Sequence, residues 1–268
     1  MKSIMKHLWE KLDLVGFVLP LLLLAAWYFV TASGSIPHYL LPSPRRFFQV
    51  IVDFVFGTAK LTPYSGKMME NLIASSIRVI HGFGLAVFWG LLLGFLTGRI
   101  QLIKRMIDPT VHIIRTIPGI GWLPLAMLWF GIGEKTTIFL IALASFFPIY
   151  INVAHGASEV PLVFLRTGRM LGANKFTLFT TVILPYAFPS VVVGLRLGLG
   201  VSWAYLVLGE LTGVSRGLGA VMMDSRMLGQ MEMIPAAMIC IGILGRLTDR
   251  LLMKVCNLIY PYNEGVIK

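Results

Sequence analysis

The sequence predicts an all-α, polytopic membrane protein of about six transmembrane helices with one structured cytoplasmic loop. Three observations carry that prediction. Of 268 residues, 57% are hydrophobic and 13% charged, with a mean hydropathy of +0.81; a soluble domain carries about a quarter charged residues. Several apolar runs exceed the roughly 18 residues that mark a membrane-crossing helix. Between two of those runs lies a polar, basic loop, residues 155–188, that is far longer than a simple connector needs to be. The chain is expected to form a single transmembrane domain over residues 1–268, with no room for a separate soluble catalytic domain.

Taken in order, the expected spans are 14–32, 71–96, 110–132, 136–154, 189–212 and 233–254. The first follows Lys2, Lys6 and Lys11 and resembles a signal peptide. Its apolar run is longer than a usual signal core and opens beside Asp13, so it is read as an uncleaved span. Next comes Leu41-Pro42-Ser43-Pro44, where Ser43 can cap a helix and Pro44 can begin one. Phe47, Phe48, Val50, Ile51, Phe54 and Val55 then recur at helical spacing, as in an amphipathic helix lying on the outer membrane surface. In the second span Gly90, Gly94 and Gly98 repeat every fourth residue, and Gly194 and Gly198 do so in the fifth. Such faces let helices approach closely in a bilayer. Gly133-Glu134-Lys135 makes a tight hairpin between the third and fourth spans.

The net charge of +11 has a topological reading, since cytoplasmic loops accumulate Lys and Arg. With the N-terminus inside, the inner segments hold thirteen of these residues and the outer segments seven, which places both termini in the cytoplasm. No nucleic-acid partner is implied. Cys240 and Cys256, 16 residues apart, would lie about 24 Å apart on one helix, too far to bridge. There is no nucleotide phosphate cradle, no zinc-protease motif and no nucleophile elbow. His7, His38, His81, His112 and His155 are scattered without metal-ligand spacing. Neither a catalytic nor a metal site is expected.

Within the basic loop, Glu159 to Leu171 reads as a short helix, Gly172-Ala173 as a turn, and Lys175 to Ile183 as a second helix closed by Pro185 and Pro189. Two helices at a sharp angle would project a knob into the cytoplasm. Gly172 suits the turn because such turns need positive φ. From physics alone, a docking knob and a connector lying on lipid remain equal alternatives.

The run Gly172 to Val182-Ile183-Leu184-Pro185 resembles the EAA-type loop of bacterial ABC-importer permease subunits. Its glycine-to-proline spacing matches that family pattern. The positions of the E-A-A triplet hold Arg166, Thr167 and Gly168 instead, so the acidic residue is missing there. Further segments resemble the nitrate/sulfonate/taurine branch: Leu41-Pro42-Ser43-Pro44, Ser76-Ile77-Arg78-Val79, Trp122-Leu123-Pro124-Leu125-Ala126, Trp129-Phe130-Gly131-Ile132-Gly133, Gly194-Leu195-Arg196 and Gly217-Leu218-Gly219. Together they cover nearly the whole chain in order.

The resemblance implies a type I ABC importer permease. Two copies, a homodimer, would form the pore. Two ATPase subunits would carry ATP and Mg, leaving no cofactor in this chain. An extracytoplasmic binding protein would deliver a small solute, and the host would be a bacterial inner membrane. Arg166, Arg169, Leu171, Gly172, Ala173, Asn174, Lys175, Phe176, Leu184 and Pro185 would form the ATPase-coupling loop. The solute is expected to be anionic, of the sulfonate, taurine or nitrate class. A neutral heterocycle such as a vitamin-precursor pyrimidine is the alternative, and a stand-alone channel or secondary carrier is the rival from another class.

Ionisable groups inside a bilayer are costly and mark function by default. Arg115 stands just before Pro118-Gly119-Ile120-Gly121, a break that can open backbone toward a cavity. Arg115, Pro118, Trp122, Arg196, Trp203 and Glu210, with Tyr205, are the candidate substrate pathway. Snorkelling by Arg115, a structural Arg196 and plain packing by the aromatics remain open. Arg78 is expected to anchor at headgroups.

Overall fold

A computed structural model describes residues 14–34, 36–37 and 41–260, with side chains from residue 18 onward. The described residues are helical, without strands. The helices are α1 (Leu14–Ala32), α2 (Pro44–Phe56), α3 (Met68–Arg99), α4 (Gln101–Thr116), a 3-10 turn (Gly119–Trp122), α5 (Leu123–Phe130), α6 (Glu134–Ser158), α7 (Leu162–Met170), α8 (Lys175–Glu210), α9 (Leu218–Met227) and α10 (Met233–Ile259). Lys2, Lys6, Lys11 and Asp13 lie outside the described residues, as do His7 and His38. The chain divides into two compact units: residues up to Met68 with Asp224–Ala236, and Met69–Met223 with the chain from Ala237 on.

In the first unit α1 is apolar all round. Leu19, Leu21, Leu22, Leu23 and Phe29 are each more than half exposed. A helix of that kind belongs in hydrocarbon. Helix α2 buries Phe47, Val50, Asp53 and Phe54. The Asp53 carboxylate accepts hydrogen bonds from the backbone N–H groups of Ala59, Lys60 and Leu61 and from the Ser65 hydroxyl, at 2.8–2.9 Å. Burial pushes this carboxyl up, but those four bonds together hold it below its ordinary range. Tyr64 donates to Asp224 at 2.8 Å. Burial first, then the Asp224 carboxylate, push its phenol up to about 12.

In the second unit α6 is gripped from two sides by glycine faces. A Cβ on Gly82, Gly90 or Gly94 of α3 would strike Ile141, Ile149 or Val153. One on Gly194, Gly198 or Gly209 of α8 would strike Asn152, Ile149 or Thr137. The close approach expected from the glycine spacing is therefore present, and it fixes α6 as the shared core helix. Ser145 and Ser202 hydrogen-bond across the α6–α8 contact at 2.7 Å, so a polar pair in an apolar seam is satisfied.

Helices α3, α6 and α8 are long and apolar enough to cross a membrane. The segment 110–132, expected as one span, is not one helix. Helix α4 begins at Gln101, and the Gly119–Phe130 arm turns away from it by 94°. Pro118 supplies the cause. It lacks an N–H, and its ring drives Ile117 out of helical geometry to φ −72°, ψ 120°. The bent pair still qualifies as one broken crossing or a re-entrant segment.

The basic loop also differs in its second half. Helix α7 runs Leu162–Met170, within the expected interval. Gly172 has φ +80°, and the Ala173 N–H reaches back to the Gly168 carbonyl, a glycine-terminated helix end. Asn174 then caps α8, its Oδ1 accepting from the Thr177 N–H at 2.8 Å. The second helix does not close at Pro185 and Pro189. It continues to Glu210, because a π turn over Phe179–Ile183 carries the ladder past Pro185.

Candidate functional site

The bend at Pro118 opens a cavity of about 440 Å³ in the second unit. Arg115, Ile117, Pro118, Gly119 and Trp122 form one wall, Leu140, Leu143, Ala144, Phe147, Pro148 and Ile151 of α6 a second, and Val201 and Tyr205 of α8 a third. Arg115 is the one charged side chain on these walls, and no carboxylate joins it. It is exposed, and it makes no ion pair or hydrogen bond among the described residues. Tyr205 rests on the break itself, since a Cβ on Gly119 would collide with its ring and hydroxyl. Glycine is required there by close approach rather than by its own dihedrals. A lone guanidinium beside a phenol, an indole and apolar walls can hold a small anion.

The candidate pathway residues separate into two groups. Arg115, Pro118, Trp122 and Tyr205 share the cavity. Arg196, Trp203 and Glu210 do not line it. Arg196 meets Asp249 of α10 through two bonds, 2.9 and 3.2 Å. Trp203 is buried and donates its indole N–H to Thr248 at 3.0 Å. Glu210 is fully buried, and its carboxylate accepts from Arg78 Nη1 at 2.6 Å, Ser75 Oγ at 2.8 Å and the Gly219 N–H at 2.7 Å.

Arg78 is thus no headgroup anchor. It is 2% exposed and also reaches Glu134 at 2.9 Å and the Arg216 carbonyl at 2.6 Å. Asn71 and Ser75, two turns and one turn before it on α3, accept from the N–H groups of Gly217 and Leu218. With the Gly219 bond, three successive donors at the start of α9 are satisfied by side chains. Sequence reasoning missed this knot. Its trace was available as the polar stripe Asn71, Ser75, Arg78 at i, i+4, i+7 within an apolar helix.

The knob formed by α7 and the start of α8 protrudes. Leu165 and Leu178 tuck inward, whereas Met170 is 87% exposed and Leu171, Phe176, Val163 and Phe164 are more than half exposed. Arg166, Arg169 and Lys175 are exposed among them. Leu184 and Pro185 belong to α8 itself. Among the described residues no cluster of His, Cys, Asp and Glu could hold a metal ion.

A helical membrane bundle with a bent segment over a cavity and an exposed apolar-basic knob is the build of a multi-pass transport permease. The chain belongs to the family of binding-protein-dependent transport system inner membrane components, whose model matches residues 86–250. Among curated relatives, it is 35% identical over 234 residues to a Bacillus subtilis protein carrying the name aliphatic sulfonates transport permease protein SsuC, covering 87% of this chain and 82% of that one. It is 30% identical to the taurine transport system permease protein TauC of Escherichia coli, with 91% and 88% covered. It is 34% identical to the nitrate import permease protein NrtB of Synechocystis, with 72% and 70% covered. Among solved structures, an inward-facing form of the MetNI methionine ABC transporter has a chain of the same fold, with TM-score 0.56, 23% identity, and 71% of this chain and 93% of that one covered.

Proposed function

We propose that this chain is the membrane-crossing subunit of an ATP-driven importer for a small organic or inorganic anion, of the sulfonate, taurine or nitrate kind. The observation that carries the anion is Arg115. An arginine on the wall of a largely apolar cavity, with no carboxylate to answer it, leaves its counter-charge to the solute. The names of the relatives support the same class.

The knob supports the second half of the proposal. Its exposed Met170, Leu171 and Phe176, with three cations, form a surface that a soluble ATPase would cover. ATP and Mg would reside on that partner. Closure of two ATPases would push Gly172 to Phe176. Because α8 runs unbroken from the knob to Glu210, the push would reach Val201 and Tyr205 at the cavity. A second copy of the chain, an extracytoplasmic binding protein, six crossings and both termini in the cytoplasm of a bacterial cell complete the proposed assembly.

Co-purification of the detergent-solubilised chain with its ATPase tests the coupling. Wild type is expected to retain the ATPase, and a chain lacking residues 169–175 to lose it while still inserting into the membrane. Equal retention by both would remove the knob from the mechanism.

A further inference from the structure

We infer that the outward face of α2, the stripe Phe48, Val52 and Phe56 with Leu61 beside it, is a lipid-docking surface that sits in the headgroup–acyl boundary of a phospholipid bilayer. The argument begins with what α2 has already spent. Two of its polar side chains, Asp53 and Arg46, are answered within its own unit. Asp53 is buried and stapled to the 57–66 loop, its backbone carbonyl also accepting from the N–H groups of Gly57 and Gly66 at 2.7 and 2.9 Å. Arg46 pairs with Glu232 at 2.7 Å. One side of the helix is therefore clad by its own loop and partners.

The other side is apolar and uncovered. Phe48 is 60%, Val52 47% and Phe56 71% exposed, at i, i+4 and i+8, and Leu61 extends the patch. These side chains flank a shallow groove of about 390 Å³ lined by Phe48, Gln49, Val52, Thr58, Ala59 and Leu61. A helix whose free face is its apolar one does not face water.

The occupant follows from continuity with α1. That helix exposes leucine on every side and requires hydrocarbon around it. Trp27, five residues from its end, lies about 7.5 Å below that end at the helical rise. Its indole donates to the Pro42 carbonyl at 3.0 Å, and its ring meets Phe47 edge-on at 5.4 Å. The first turn of α2 is thereby pinned at the depth of the last turn and a half of a lipid-immersed helix. That is where in-plane amphipathic helices lie, with their apolar face some 5–10 Å into the boundary. Arg45, three residues before Phe48, and Lys60, next to Leu61, are exposed cations beside the stripe, placed for lipid phosphate.

Site-directed spin labelling tests this in the full chain, with Cys240→Ala and Cys256→Ala, in nanodiscs of phosphatidylethanolamine and phosphatidylglycerol. Labels at Val52→Cys and Phe56→Cys are compared with Leu22→Cys on α1 and with free label in buffer. The inference predicts that both collide with oxygen and exclude a water-soluble nickel chelate relative to free label, at a depth shallower than that of the Leu22→Cys label. Nickel accessibility equal to that of free label would overturn it, as would exclusion of both reagents, which would mean that protein covers the face. If the cysteine-free background fails to fold, the unaltered chain carries the test through a phospholipid with a photoreactive group near its glycerol. Cross-links on the peptide spanning 48–61 support the surface. Cross-links on α1 with none on that peptide overturn it.

Discussion

Arg78 and Arg115 are the same residue type in the same helical unit, and the protein treats them oppositely. Arg78 is buried and answered by Glu210, Glu134 and the Arg216 carbonyl. Arg115 stands on a cavity wall with no answering group on that wall. A buried charge survives only when paired and hydrogen-bonded. The first arginine is therefore part of the fold, fixing the start of α9 to α3 and α8. The second is left for something the fold does not contain. Position along the chain distinguishes them poorly; the partner list distinguishes them at once.

Breaking the knot has the largest expected effect on the protein itself. Glu210→Ala leaves Arg78 buried and short of its main partner, which costs about 3–5 kcal/mol. A drop in the melting temperature of the purified chain, with lower membrane yield, checks this. Arg115→Ala has the converse signature. Losing a charge-assisted bond of about 1.5–3 kcal/mol lowers anion uptake roughly 10- to 100-fold at unchanged melting temperature. Arg115→Lys keeps the charge but loses the planar fork, so partial uptake is expected.

Smaller effects sharpen the same contrast. Gly119→Ala forces Tyr205 off the helix break, and transport is expected to fall severalfold with ATPase binding retained. Arg196→Ala removes a half-exposed pair with Asp249 and should change stability by no more than about 1 kcal/mol. Outside the spans, Asp53 gives a pH dependence. Its folded-state pKa lies below the ordinary 3.8, so its contribution to stability is complete above that value and is lost as pH falls through the lower one. Hydrogen exchange at Ala59, Lys60 and Leu61, corrected for intrinsic rate, is expected to hold steady down to about pH 4 and rise below it. A rise already at pH 6 would contradict the assigned bonds.

Helix existence was largely legible in the sequence, because apolar runs, glycine spacing and the Gly172 turn are local features. The knob's turn was legible in Gly172, whereas the Asn174 cap and the run of α8 past Pro185 were not. The breaks were not. Pro118 bends its segment by 94° while Pro185 leaves α8 continuous, and the difference lies in whether a π turn can absorb the missing donor. The pairing of Arg78 with Glu210 spans 132 residues, and no local pattern announces so distant a contact. For the same reason Arg196, Trp203 and Glu210 could not be told from the cavity residues by type alone.

The most direct test is uptake by the complete transporter, reconstituted with its ATPase and binding protein in proteoliposomes, comparing wild type with Arg115→Ala at equal folded protein. Taurine, ethanesulfonate and nitrate serve as anions and a neutral pyrimidine as the control. The account predicts that whichever anion the wild type imports is lost at least about tenfold in the variant, with ATPase retention unchanged. Anion uptake by the variant equal to that of wild type, or import of the neutral pyrimidine by a wild type that imports none of the anions, would contradict it.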